Sequence, residues 1–412
     1  MLEGFEVAMN SEPNEAASEI LAAMEHAVGP ATETVLLHRP YLPPKAWEYV
    51  KECLDTGWVS SAGSYVTRFE TELASVTGCA RAIATVNGTA ALQVCLHLAG
   101  VRCDEEVISP SLTFVATANA ISHCGAVPHF VDVSRERLSI CPEALKARLK
   151  EISATGPNGP VNRQTGRRIA AVCLMHCLGH PADLEAIVEI CDEYDIPLIE
   201  DAAESLGSTY RGKHTGRFGK LAAVSFNGNK ILTTGGGGAI ITDDNELADQ
   251  AKHLTTTAKV PHAWEFKHDA IAWNYRMPNI NAALGLAQLE VLPNLIAAKR
   301  VLAERYQASF RELSHIAEFL REPSDSHSNY WLNALILAPA YESSRDVLLE
   351  RLSGTGYQCR PLWIPMHLLT MYANAPRGLL ERTEELCRQV INIPSSADLS
   401  PSWAAEPLQS RL

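Results

Sequence analysis

The stretch Pro197-Leu198-Ile199-Glu200-Asp201-Ala202-Ala203-Glu204 reads as a short apolar strand that ends in carboxylates. Its apolar part shows no polar alternation, the pattern of a strand covered on both faces. Further runs of this kind lie at 82–86, 106–109, 127–131, 170–174, 222–226 and 239–242. Helical stretches separate most of them, among them 90–99, 184–193 and 246–254. Such alternation predicts an α/β fold with a mainly parallel sheet flanked by helices. Ligands of parallel sheets sit beyond the carboxyl ends of the strands, so Asp201 is a candidate to hold a cationic ring nitrogen or a metal. The same residue type there could also be a helix N-cap.

Outward from Asp201, the strand 222–226 runs into Ser225-Phe226-Asn227-Gly228-Asn229-Lys230 and then Thr233-Thr234-Gly235-Gly236-Gly237-Gly238. A lysine just past an apolar strand, fenced by small residues, is a candidate to form a Schiff base; an ordinary surface lysine is the plain alternative. The glycines follow the lysine, the wrong order for a P-loop, and they do not spell a dinucleotide motif. Upstream, Val86-Asn87-Gly88-Thr89-Ala90-Ala91 is a strand, a turn and a helix start. Free N–H groups there could hold a phosphate, or the residues could form an ordinary cap. Downstream, Trp273-Asn274-Tyr275-Arg276-Met277-Pro278 precedes a helix at 280–292 and is either a recognition loop or an anchored corner. His176 and His180 are separated by a strand end and followed by Pro181, so they share no helix face and no zinc site is expected.

Composition sets the bounds. The chain has 412 residues, 46% of them hydrophobic and 20% charged, which supplies a large core and excludes disordered and fibrous classes. With 35 basic against 48 acidic residues the net charge is −13, the wrong sign for a nucleic-acid-coating surface. No apolar run approaches the roughly 18 residues of a membrane span, and the acidic start lacks the features of a signal peptide. Eleven cysteines, none spaced Cys-x-x-Cys, fit a reduced cytoplasm, with Cys173 and Cys177 read as small core residues. The expected organisation is a helical leader (1–35) stopped at Gly29-Pro30, a large domain (36–295), and a smaller C-terminal α+β domain (296–412) opened by a helix over 295–313. The polar stretch 153–168 is expected to be a solvated loop.

In order, Asn87-Gly88-Thr89-Ala90-Ala91-Leu92, Thr113-Phe114-Val115-Ala116-Thr117-Ala118-Asn119, Glu200-Asp201-Ala202-Ala203-Glu204, Ser225-Phe226-Asn227-Gly228-Asn229-Lys230 and Asn274-Tyr275-Arg276-Met277 form a demanding set. From about Leu42 to the C-terminus the chain resembles the DegT/StrS-type nucleotide-sugar aminotransferases, which are fold-type I pyridoxal-phosphate enzymes. The resemblance implies that Lys230 bonds the aldehyde of pyridoxal 5'-phosphate and carries protons, while Asp201 pairs with the pyridine nitrogen. It implies that Ser225 and the amides of Gly88 and Thr89 hold the phosphate. Asn274 would reach that phosphate from a neighbouring subunit, which implies a homodimer. Phe114 would pack over the ring, and Glu204 stands near the ring oxygen where many relatives have Gln or His. Asn227 replaces a commoner His, and the Gly235–Gly238 run has Gly where many relatives carry Glu.

The activity implied is a ping-pong transamination from L-glutamate to a nucleotide-linked 4-keto-6-deoxy sugar in amino-sugar or surface-glycan biosynthesis. Leu37-His38-Arg39-Pro40 and Arg360-Pro361-Leu362-Trp363 look most like members of legionaminic-acid-type pathways, which makes a UDP-linked 2-acetamido sugar the first choice. Alternatives are a 3-keto-sugar aminotransferase, a sugar dehydratase (a branch with His where this chain has Lys230), and a non-catalytic cofactor- or sugar-binding regulator. Candidate pocket walls are the loop 176–180, Trp331 and the stretch 363–367.

Overall fold

The computed structural model describes residues 2–403, with side chains from Pro13 onward. The main sheet holds β1 (Arg81–Thr85), β2 (Glu106–Pro110), β3 (Val127–Val131), β6 (Ile169–Met175), β7 (Leu198–Asp201), β10 (Leu221–Ser225) and β11 (Gly238–Thr242). Between β3 and β6 lies a hairpin of β4 (Ser153–Gly156) and β5 (Gly159–Asn162). A small ribbon joins β8 (Thr209–Tyr210), β9 (Lys213–His214) and β13 (Ser326–His327). The second sheet is antiparallel and contains β12 (Ala317–Phe319), β14 (Asn333–Leu337), β15 (Arg360–Pro361) and β16 (Val390–Ile393).

In the main sheet the order is β1-β11-β10-β7-β6-β2-β3. The pairs from β10 to β3 are parallel, and β11 runs antiparallel to both of its neighbours. All strands except β11 therefore point their carboxyl ends at one edge of the sheet.

Alternation along the strands explains why the sheet is covered twice. On β10, Leu221 and Ala223 join one core with α4 (Gly88–Leu98), α5 (Val115–His123) and α8 (Asn245–Thr255). Ala222 and Val224 of the same strand face the opposite core with α3 (Ser64–Thr77), α9 (Asn279–Leu289), Cys53 of α2 (Pro44–Thr56) and Leu386 of α12 (Glu381–Gln389). Farther along, Ile108, Val131, Val172 and Leu198 pack on α6 (Pro142–Ile152) and α7 (Leu184–Glu193).

A further core joins the second sheet to α1 (Leu2–Val28), α10 (Leu292–Ser309) and α11 (Arg345–Gly354). Ile20 and Met24 of α1 are fully buried there, among Leu302, Tyr306, Leu348 and Ile391. Each such side chain contributes about 1.5–3 kcal/mol of apolar burial. The stretch 153–168 corrects an expectation: its first half is the β4–β5 hairpin, turning at Gly156-Pro157-Asn158-Gly159. Among the described residues no single helix is long and apolar enough to cross a membrane.

Candidate active site

Asp201 ends β7, where its Oδ2 accepts a hydrogen bond from Thr117 Oγ1 at 2.8 Å and its Oδ1 accepts from the Ala203 amide at 3.1 Å. Turns rather than a helix follow it, so the helix-cap alternative does not apply. Burial pushes its pKa up, and the two hydrogen bonds oppose that rise. Thr117 is itself set by Thr113, four residues earlier, whose hydroxyl donates to Thr117 Oγ1 at 2.7 Å.

The turn from β1 to α4 forms the second part. Asn87 is the cap of α4, its Oδ1 accepting from the Ala90 amide at 2.8 Å. Thr89 is thus free to line the cavity, and the Gly88 and Thr89 amides stand at the helix start, where an anion is favoured. A Cβ on Gly88 would lie 2.8 Å from Ser225 Cβ, so only glycine lets the helix start approach the end of β10 this closely. A Cβ on Gly238 would lie 2.4 Å from the Asn87 carbonyl carbon.

Lys230 supplies the third part. Its Nζ donates to Glu204 Oε1 at 3.0 Å, while Glu204 Oε2 accepts from the Leu178 amide at 2.9 Å. Glu204 is buried; desolvation raises its pKa, and the Lys230 charge and the Leu178 N–H pull it down. On another side Nζ lies 3.9 Å from the centre of the Trp331 ring, whose indole N–H donates to the Asn229 carbonyl at 2.7 Å. Asn329 ties the two chain segments together, donating to the Glu204 and Leu206 carbonyls.

These parts line one cavity of about 220 Å³, which brings together Gly88, Thr89, Phe114, Asp201, Glu204, Ser225 and Lys230. Phe114 is 47% exposed and meets Trp363 edge-on, ring centres 6.0 Å apart. Asn274 is the one expected site residue outside this cavity. Its exposed side chain accepts from Arg276 Nε at 2.9 Å. The loop around it is an anchored corner: Trp273 stacks on Tyr275, and the Tyr275 hydroxyl donates to Gln93.

The two histidines part company. His176 is engaged by Glu200 and by the Ala182 amide. His180 is buried edge-on to Tyr330 with no partner on either nitrogen among the described residues, and burial holds its pKa down to about 4. Thr117 and Asn329 make contacts around this cavity that sequence reading did not assign. Thr117 had a signal, its place four residues after Thr113; Asn329 had none.

The sequence profile described as the DegT/DnrJ/EryC1/StrS aminotransferase family matches residues 42–406. A GDP-perosamine synthase of Vibrio cholerae is 34% identical over 360 residues, 87% of this chain and 93% of its own. Another of Escherichia coli O157:H7 is 35% identical over 364 residues, 88% of this chain and 94% of its own. Among solved structures, a DegT DnrJ EryC1 StrS aminotransferase from Brucella abortus superposes with a TM-score of 0.78 at 27% identity, covering 87% of this chain and 92% of its own.

Proposed function

This chain belongs to the DegT/DnrJ/EryC1/StrS aminotransferase family, whose members depend on pyridoxal phosphate, and from that premise we propose that it aminates a nucleotide-linked 4-keto-6-deoxy sugar with L-glutamate as donor. The observation that carries the proposal is the convergence of an amine, a buried acid and a helix-start cradle on one cavity.

The donor set fits the cofactor. Lys230 offers the amine for its aldehyde, and Ser225 with the Gly88 and Thr89 amides offers a seat for its phosphate. No cationic side chain hydrogen-bonds to Asp201 among the described residues, and its carboxylate is short of solvation. A ring N–H against it would supply a charge-assisted bond. When bound, pyridoxal phosphate supplies an electron sink for the carbon that carries the amino group.

The chain's own groups supply the rest. Lys230 Nζ is the proton carrier, held between Glu204 and the Trp331 ring. Glu204 gives that amine a counter-charge, while Phe114 covers one wall of the cavity.

The carrier nucleotide is open to two forms. The stretches 37–40 and 360–363 favour a UDP-linked 2-acetamido sugar, whereas the names of the curated relatives favour GDP. A homodimer belongs to the same proposal. Asn274 stands outside its own chain's cavity, and its loop exposes Trp264, Phe266 and Ile271, apolar surface that a second copy would cover. So does a cytoplasmic location, supported by eleven free cysteines.

The deciding experiment is the absorbance spectrum of the purified protein before and after L-glutamate. A yellow lysine-bound band that bleaches supports the proposal; incubation with GDP- and UDP-linked 4-keto sugars then identifies the acceptor. A protein that stays colourless with added pyridoxal phosphate overturns it. A band indifferent to glutamate favours the binding-only reading.

A further inference from the structure

Lys299 of α10 is 1% exposed, yet its ammonium makes no ion pair among the described residues. Its Nζ donates instead to two backbone carbonyls, those of Trp331 (3.2 Å) and Ser395. Burying an ammonium against neutral acceptors is costly, and a methionine or leucine would fill the same space without that cost. The position therefore asks for a reason other than packing.

The geometry supplies one. Trp331 is held on three sides: its amide donates to Asn329 Oδ1 at 2.8 Å, its indole N–H donates to the Asn229 carbonyl, and its own carbonyl receives Lys299. The ring so fixed lies face-on to Lys230 Nζ, 3.9 Å from its centre. Lys299 also fastens the Ser395 turn, whose amide donates to the Leu37 carbonyl and whose hydroxyl accepts from the Asn333 amide at the start of β14. The base on which Trp331 stands is thus secured by the same ammonium. Burial brings the pKa of Lys299 down to about 7, in keeping with a group that acts through its N–H donors in a dry site.

We propose that Lys299 is a positioning residue for Lys230: by holding the Trp331 carbonyl it keeps the indole face against the Lys230 amine, shielding that amine from solvent and setting its reactivity. The proposal gives Lys230 its meaning from the function proposed above, but the contact itself is a property of the chain and is tested without turnover.

The test is competitive labelling of full-length, cofactor-stripped protein with a limiting amine reagent such as acetic anhydride. Modification of the Lys230 peptide is read by mass spectrometry, with exposed Lys146 as the internal reference. Trp331→Leu removes the ring and should speed Lys230 labelling about two- to fivefold, the size of a lost cation–π contact with its shielding. Lys299→Met should speed it in the same direction while the protein keeps its melting transition. The double variant should match Trp331→Leu alone, because one residue acts through the other.

Unchanged Lys230 labelling in a folded Lys299→Met overturns the proposal. So does an additive increase in the double variant, which would mean that Lys299 reaches Lys230 by another route. If the methionine variant does not fold, Lys299→Leu, which likewise donates to neither carbonyl, takes its place. Faster labelling supports the proposal there and an unchanged rate overturns it. A protein that passes this test and yet ignores L-glutamate would refute the proposed function and leave the positioning role standing.

Discussion

Lys230 Nζ and Glu204 Oε1 lie 3.0 Å apart, with side chains only 11% and 1% exposed. The pair is worth most as a pair: removing one partner strands the other charge in a poorly hydrated place. Lys230→Ala should therefore lose the yellow absorbance and turnover together. It should also lose about 3–5 kcal/mol of stability near neutral pH. The Glu204 pKa is raised, so the stranded carboxylate can take up a proton in acid, and the melting-temperature deficit should shrink there. A variant that keeps normal activity would refute the assignment of Lys230.

Asp201 poses a conflict between stability and function. Its folded-state pKa is raised, so the folded protein holds the proton more tightly than the unfolded chain does. Stability is then greatest below the usual carboxylate range and falls as pH rises through it towards the raised value. Asp201→Asn removes that loss. The cofactor-stripped variant should melt higher than its parent at neutral pH, with the advantage vanishing in acid. Turnover should fall about a hundredfold or more. Equal melting curves at both pH values would contradict the burial argument.

Gly238 answers a purely steric question. With the Asn87 carbonyl carbon 2.4 Å from any added Cβ, the β1–α4 turn has to move if this residue becomes alanine. Gly238→Ala should cost about 3 kcal/mol or more, read by urea unfolding. Cofactor retention should fall as well, since the displaced turn carries the Gly88 and Thr89 amides.

Asn274 tests the proposed cross-subunit contact. Asn274→Ala should leave the melting temperature near that of the parent, because the side chain is exposed and bonded only within its own loop. It should raise the dissociation constant for pyridoxal phosphate about tenfold or more, the size of a lost bond to a charged group. Sedimentation showing a strict monomer with full cofactor affinity would remove the cross-subunit role.

His180 makes the fold sensitive to acid. Its pKa falls from the usual 6.5 to about 4 on burial, so its contribution is complete above 6.5 and is lost as pH drops towards 4. The loss is on the order of 3 kcal/mol across that window. His180→Phe, which keeps a ring against Tyr330, should flatten that part of the curve of melting temperature against pH.

The seven strands of the main sheet were legible because each is a mostly apolar run, a signal that needs no knowledge of neighbours; β3, predicted over 127–131, is an instance, whereas the strands of the second sheet were not predicted. The helix expected over 295–313 starts at Leu292, since Pro293 is tolerated in a first turn and does not precede it. The 153–168 stretch hid its hairpin, because polar residues pair through their backbones as well as apolar ones do. Asp201, Ser225 and Lys230 were legible as residues at strand ends. Nothing local announces that Trp331, from about a hundred residues away, lies against Lys230. That contact exists only once the second sheet has docked.

The packing of α1 bears on how the chain is made. Ile20 and Met24 leave the ribosome long before Leu302, Tyr306, Leu348 and Ile391, which bury them. Until those residues emerge, α1 carries an apolar stripe with nothing to cover it, while β1 to β11 can already pair. The main sheet is thus free to form first, and α1 waits for β16. For that interval it is the part of the nascent chain most in need of a chaperone's cover.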